Sequence, residues 1–290
     1  ITTESSRIMY YIENEPQEAR DARELILREY GDIEFREEGH IYTLHGRIIE
    51  TTISALGHRF EQRPFDAQAM AVKHAEKHGN TPEYWIGEWE KISKQATTIG
   101  TKVHEYGESL SYVLNGLPED MILESARGQY DAVARDITPV HPKERAAAEF
   151  LKKLPKNYHL VLNEARVYSG KNPDPQKNIS ELICGTFDML YWDDGNGNPE
   201  KAGFVLLDYK TNGTLTNDFN RKFNNYLAAP FYDLYEESLG LYTIQLSAYQ
   251  MLLEDIGIQI KARILVWLKE DGHCELVALP NVSDKLRNIL

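Results

Sequence analysis

The chain has 290 residues, 42% of them hydrophobic, and carries 45 Asp and Glu against 32 Lys and Arg, for a formal net charge of −13. That length suits one large domain or a core with a helical elaboration; no apolar run approaches the ~20 residues of a membrane span, no signal peptide is visible, and no membrane partner is expected. The acidic balance argues against a bulk electrostatic grip on nucleic acid, leaving room for a local basic channel, and two cysteines, Cys184 and Cys274, exclude a disulfide scaffold and set a reducing, intracellular expectation.

In chain order, Ala19, Ala22, Leu25, Ile26 and Tyr30 recur at three and four and predict an amphipathic helix. His40 to Ile49 alternates around His45-Gly46 and predicts a hairpin, after which Thr51 to Leu56 offers capping residues for a further helix. From Pro64 to Lys94 the period is helical, with a break near Gly79-Asn80-Thr81-Pro82. Trp85 and Trp89 share a face there and are assigned to the core rather than to a base-stacking platform.

A helix over Gly100 to Glu108 puts His104 and Glu108 one turn apart on one face. A satisfied helix histidine is the plainer account of His104 from spacing alone, and no other histidine shows a metal-like pairing. Pro142 to Leu154 predicts a helix with Ala147, Phe150 and Leu151 buried. Tyr158 to Tyr168 alternates as a strand, with Leu160, Leu162, Glu164 and Arg166 on one face, where Glu164 needs a partner or a solvated strand end.

The stretch Cys184 to Asn212 reads as two strands joined by Asp193-Asp194-Gly195-Asn196-Gly197-Asn198-Pro199, residue types that accept turn dihedrals. Placing Trp192 opposite Gly203 sets Asp188 opposite Leu207, one position from Asp208, while Asp208 and Lys210 share a face. Two carboxylates and a lysine then share one small volume. From Thr214 to Gly240, six aromatics surround Arg221-Lys222, forming either a wall along a single nucleic-acid strand or a packed surface loop. Leu241 to Asp255 is helical with Gln245 and Tyr249 on one face, Ile258 to Leu268 alternates as a strand, and Cys274 to Leu279 follows as another. There is no internal repeat and no low-complexity linker.

Asp188, Asp208 and the Tyr209 carbonyl offer oxygen ligands suited to Mg2+ or Mn2+, hard cations completed by substrate phosphate. Lys210 could then orient or deprotonate a water, or steady charge developing on phosphorus. A structural ion pair at a sheet end accounts for the same trio without function.

These residues also carry a resemblance. Asp188 followed by Asp208-Tyr209-Lys210 is similar to the metal and catalytic motif of the PD-(D/E)XK nuclease superfamily. Gly100-Thr101 with His104 resembles its helical GTxxH motif, Glu164 the acidic residue of the first core strand, and Gly185 to Asp188 the GxxD strand. Asp208 to Thr211 resembles the DYKT strand, and Gln245 with Tyr249 the QxxxY helix of the RecB-like branch. The set runs from about residue 40 to 268; Ser54 through His104 also resembles the entry region of phage-type and mitochondrial genome maintenance exonucleases.

The resemblance implies an α/β PD-(D/E)XK core, a mixed sheet flanked by helices, over 99–290, with an N-terminal hairpin and helical elaboration over 1–98, together one compact unit. It implies His104, Asp188, Asp208 and the Tyr209 carbonyl as ligands of Mg2+ or Mn2+, Lys210 as the catalytic lysine and Glu164 as an accessory acid. Gln245 and Tyr249 become supports of the site or contacts to DNA; Glu108, Thr211, Arg221 and Lys222 complete the expected supporting or DNA-binding set. The expected activity is metal-dependent DNA exonuclease action on single strands or free ends, in the host cytoplasm for a phage-encoded protein or in a mitochondrion. Phe187 stands where the name motif has proline, the four cysteines of iron-sulfur relatives are absent, so no cluster is implied, and the acidic balance makes tight duplex binding less expected than catalysis. The rival expectations are a nuclease-like module that binds nucleic acid without cutting it and an acidic protein that mimics DNA.

Overall fold

The computed structural model describes residues 12, 14–36, 38–116, 138–170 and 181–290. Its centre is a six-stranded mixed sheet flanked by helices, an α/β architecture. Helix α1 (Gln17–Glu29) buries Ala19, Ala22 and Ile26 as its period predicts, and also Arg23, whose guanidinium bonds Glu15 and the carbonyls of Leu160 and Val161. Strands β1 (Ile33–Arg36), β2 (Ile41–Leu44) and β3 (Arg47–Ile49) make a small antiparallel sheet. The β2–β3 turn is His45-Gly46, both at positive φ, while β1 is an additional strand that the alternation did not reveal.

Thr51 and Thr52 form β4, parallel to β6 (Ile183–Asp193), before a four-residue helix, α2 (Ile53–Leu56). Helix α3 (Ala67–His78) is capped by Asp66 and ends at Gly79, where φ is 80°. Thr81 caps α4 (Pro82–Leu114), with proline in the first turn. The two helical stretches expected at 82–94 and 100–108 are one helix of 33 residues, about 50 Å long, running unbroken through positions 98 and 99. Its buried side chains begin only at Val103, so its first half and α3 form an arm beside the core. Trp85 and Trp89 lie on that arm, correcting their assignment to the core. Trp85 packs on His74 with ring centroids 4.3 Å apart, and Trp89 on Phe65 at 5.9 Å, outside both hydrophobic clusters.

Helix α5 (Pro142–Lys153) starts with a capping box between His141 and Glu144 and buries Ala147, Phe150 and Leu151. Strand β5 (Tyr158–Tyr168) pairs antiparallel with β6, with a register shift between Leu160 and Leu162 that breaks the simple alternation of faces read from the sequence. β7 (Gly203–Lys210) pairs antiparallel with β6 and parallel with β8 (Ile260–Leu268), and β9 (Cys274–Ala278) closes the far edge. The parallel β7–β8 pair is joined through α6 (Asp218–Lys222) and α7 (Ser238–Asp255), and α8 (Ser283–Arg287) ends the chain against α7.

The register of β6 and β7 is one residue from the expected one: Trp192 faces Phe204 and Met189 faces Leu207. That slip moves Asp188 into line with Asp208 rather than Leu207. The β6–β7 ladder ends at Met189 and Leu207; β6 continues beside β5 and β4 while β7 continues beside β8. The sheet therefore forks where the two aspartates stand. Among the described residues no helix is long and apolar enough to cross a membrane.

Candidate functional site

The fork leaves the Tyr209 amide without a β6 partner, and the Asp188 carboxylate supplies one, accepting its N–H at 2.7 Å. Gly107 explains how α4 comes so close. A Cβ there would sit 2.7 Å from the Tyr209 ring, so only glycine lets the helix lie on that tyrosine. One turn earlier, His104 projects over the fork: its Nδ1 is 3.3 Å from Asp188 and 3.8 Å from Glu164.

Glu164 reaches this point from β5 with φ at 47°, a left-handed value that a glutamate seldom holds without support from its surroundings. His104, Glu164 and Asp188 thus arrive from three separate elements, and one ligand atom from each lies within 4.8 Å of the other two. A divalent cation could bridge them. His104 and Glu164 are about one third exposed, so the group opens to solvent.

Asp208, expected in the same ligand set, is placed differently. Its Oδ2 meets Lys210 Nζ at 2.5 Å, and both groups are largely buried. The ammonium also lies 4.4 Å from the Tyr242 ring centroid. The cluster is therefore His104, Glu164 and Asp188, with Asp208 and Lys210 as an adjoining ion pair. Glu164 belongs to the cluster itself, where the resemblance made it accessory. Tyr209 contributes the amide just described.

The charges are strongly interdependent. Burial alone would lower the His104 pKa, but the Asp188 and Glu164 carboxylates hold it well above the ordinary imidazole value. Burial tends to raise Asp188, yet His104, Lys210 and the Tyr209 N–H bring it below the usual carboxylate range. Burial and the Asp188 charge push Asp208 up to about 6, against the pull of Lys210. Lys210 itself is desolvated, but the two aspartates raise its pKa, so it is a firm cation. Glu164 is raised by burial and by Asp188.

Of the expected supports, Glu108 lies beside Glu164 and accepts a hydrogen bond from the Tyr112 hydroxyl at 3.2 Å; burial and Glu164 push its carboxyl up to about 8. A Cβ added at Gly100 would lie 3.4 Å from Thr211 Oγ1, so the start of the GTxxH-like segment lies near the end of β7, and the Thr211 carbonyl accepts from Lys143 Nζ at 2.8 Å. Gln245 and Tyr249 are buried walls of the site. The Tyr249 hydroxyl donates to the Thr186 carbonyl at 2.8 Å and is bonded by Gln245, and it fits there because residue 185 is glycine.

Arg221 does not join the cluster: it makes a two-pronged ion pair with Glu237 and stacks near Tyr235. Lys222 is exposed beside Phe223. Within 214–240, Arg221 is thus paired on α6, while Phe219 and Phe223 stay exposed at 62% and 56%. Tyr242 escaped the sequence reading, although it stands three and seven residues before Gln245 and Tyr249, the spacing of one helix face. No family model matches this chain, and no curated protein matches it.

Proposed function

We propose that the chain is a divalent-metal-dependent deoxyribonuclease of the PD-(D/E)XK type that hydrolyses phosphodiester bonds from DNA ends. The observation that carries this reading is the meeting of His104, Glu164 and Asp188 at a forked sheet, beside the Asp208–Lys210 pair. Two carboxylates with one imidazole suit Mn2+ or Mg2+, the imidazole favouring Mn2+. Such an ion, when bound, supplies polarisation of the phosphodiester and a water acidic enough to attack it.

The chain's own groups divide the remaining work. Lys210, held by Asp208 and the Tyr242 ring, stays protonated and stabilises negative charge developing on the phosphoryl oxygens, rather than taking a proton from water. Asp188 is fixed by the Tyr209 amide, so its free oxygen keeps a constant aim. Glu108, with its raised pKa, can hold a proton at neutral pH next to Glu164 and limits the negative charge of the cleft. The preference for ends is supported by the resemblance to end-trimming exonucleases alone.

The test is incubation with end-labelled linear single- and double-stranded DNA and with circular DNA, in Mg2+, Mn2+ or EDTA, beside Lys210→Ala. Metal-dependent loss of linear DNA, absent in the variant, is expected. No cleavage in either metal would overturn the enzyme reading, unchanged cleavage by the variant would remove Lys210 from its role, and equal cutting of circles would replace end-trimming by internal cleavage.

A further inference from the structure

Arg166 stands on β5 two residues beyond Glu164, in register with Thr186 of β6. It is half-buried, and its guanidinium carbon lies 5.3 Å from the Phe35 ring centroid, so the small N-terminal sheet holds it by stacking. Tyr42, Glu164 and Glu108 are near enough for their charges to act on it, yet it forms no ion pair or hydrogen bond with any described residue. The inward Arg23 and Arg263 are tied to Glu15 and Gln250, and even the exposed Arg221 and Arg287 are paired, with Glu237 and Asp255.

A guanidinium presents five donors in a rigid fork, and those of Arg166, half-buried yet reached by solvent, stand open to the acceptors of a ligand. The fork matches the oxygens of a phosphodiester. The cleft also needs it, because the carboxylates of Glu164 and Asp188 otherwise face an incoming polyanion, while His104 and Lys210 are engaged by Asp188 and Asp208.

We propose that Arg166 is a positioning residue that grips a backbone phosphate of the bound DNA strand beside the His104–Glu164–Asp188 cluster. This rests on the nuclease reading. Stacking on Phe35 sets the fork in advance, so the strand is held in register with the cluster at little ordering cost.

The test measures binding of a labelled single-stranded oligodeoxynucleotide by fluorescence anisotropy over a salt series in Mn2+, using Lys210→Ala protein to suppress cutting. Into that background go Arg166→Met, which keeps an apolar stem over Phe35, and Arg166→Lys. For Arg166→Met, Kd is expected to rise about tenfold, the yield of one charge-assisted contact. The slope of log affinity against log salt should fall by about 0.7, as for one phosphate on a single strand. Arg166→Lys should restore the slope but only part of the affinity, since it cannot bind two oxygens at once. Equal losses for 5′-phosphorylated and 5′-hydroxyl strands identify an internal phosphodiester; a loss confined to the phosphorylated strand assigns the grip to the terminal phosphate.

Mn2+ affinity should change less than twofold. Unchanged DNA affinity and slope in a folded Arg166→Met protein would overturn the proposal, as would weakened Mn2+ binding with the slope intact, which would make Arg166 a charge balancer for Glu164. If Arg166→Met melts early, Arg166→Lys carries the test, and wild-type affinity in that variant overturns the two-oxygen grip. Absence of DNA binding by the Lys210→Ala parent is a separate result: it sinks the nuclease reading and the proposal with it.

Discussion

Asp208→Asn is expected to stabilise the metal-free protein while abolishing cleavage. Asp208 is 3% exposed, and burial together with Asp188 lifts its carboxyl from 3.8 to about 6 despite the Lys210 contact. A shift of about 2 units corresponds to about 3 kcal/mol against the ionised form in the folded state. Below pH 3.8 the carboxyl is protonated whether the chain is folded or not, and the penalty vanishes. As pH rises from there to about 6, the folded state keeps a proton that the unfolded chain has lost, so wild-type stability falls across that window and stays lower above it. Asparagine removes this fall, although its buried amide needs hydrogen-bond partners and offsets about 1–2 kcal/mol of the gain. A net gain of about 1–2 kcal/mol raises Tm by about 2–4 °C for a chain of this size. Thermal melts of both proteins in EDTA at intervals from pH 4 to pH 8 check the sign and the window. A lower Tm for the variant at pH 8, or a difference that does not change with pH, would refute the reasoning.

His104 is held protonated by Asp188 and Glu164, whereas a metal ligand must be a neutral imidazole, so Mn2+ binding should release a proton and strengthen as pH rises. Calorimetric Mn2+ titrations in buffers of different ionisation enthalpy measure that proton; His104→Ala should bind more weakly and with a flatter pH dependence, and an unchanged titration would return His104 to an ordinary helix position. Gly107→Ala should lose about 1–3 kcal/mol, because its Cβ would fall 2.7 Å from the buried Tyr209 ring with α4 and β7 fixed on either side. Urea unfolding measures this, and a variant as stable as wild type would mean that the helix lifts away from Tyr209 without cost.

What the sequence determined by itself was local. Period and turn chemistry located the helices near residues 17, 142 and 240, the strands at 158, 183, 203 and 260, and the pairing of Asp208 with Lys210 on one strand, because these depend on neighbours a few positions away. The family resemblance, also carried by local stretches of sequence, singled out Gly100, His104, Glu164, Asp188 and Tyr249. Their meeting could not be read that way. It depends on a one-residue choice of register between β6 and β7, on the ladder ending at Met189, on the positive φ at Glu164, and on a helix passing across the fork close enough to require glycine at 107.

For the same reason the sequence could not tell that Trp85 and Trp89 belong to an arm: helical spacing records which residues share a face, and only packing decides whether anything covers that face. Nor could it separate Glu164 from Asp208 as members of the cluster. Both are acids at strand positions, and the difference lies in Lys210 reaching one while His104 reaches the other, a choice made by distances between elements far apart in the chain.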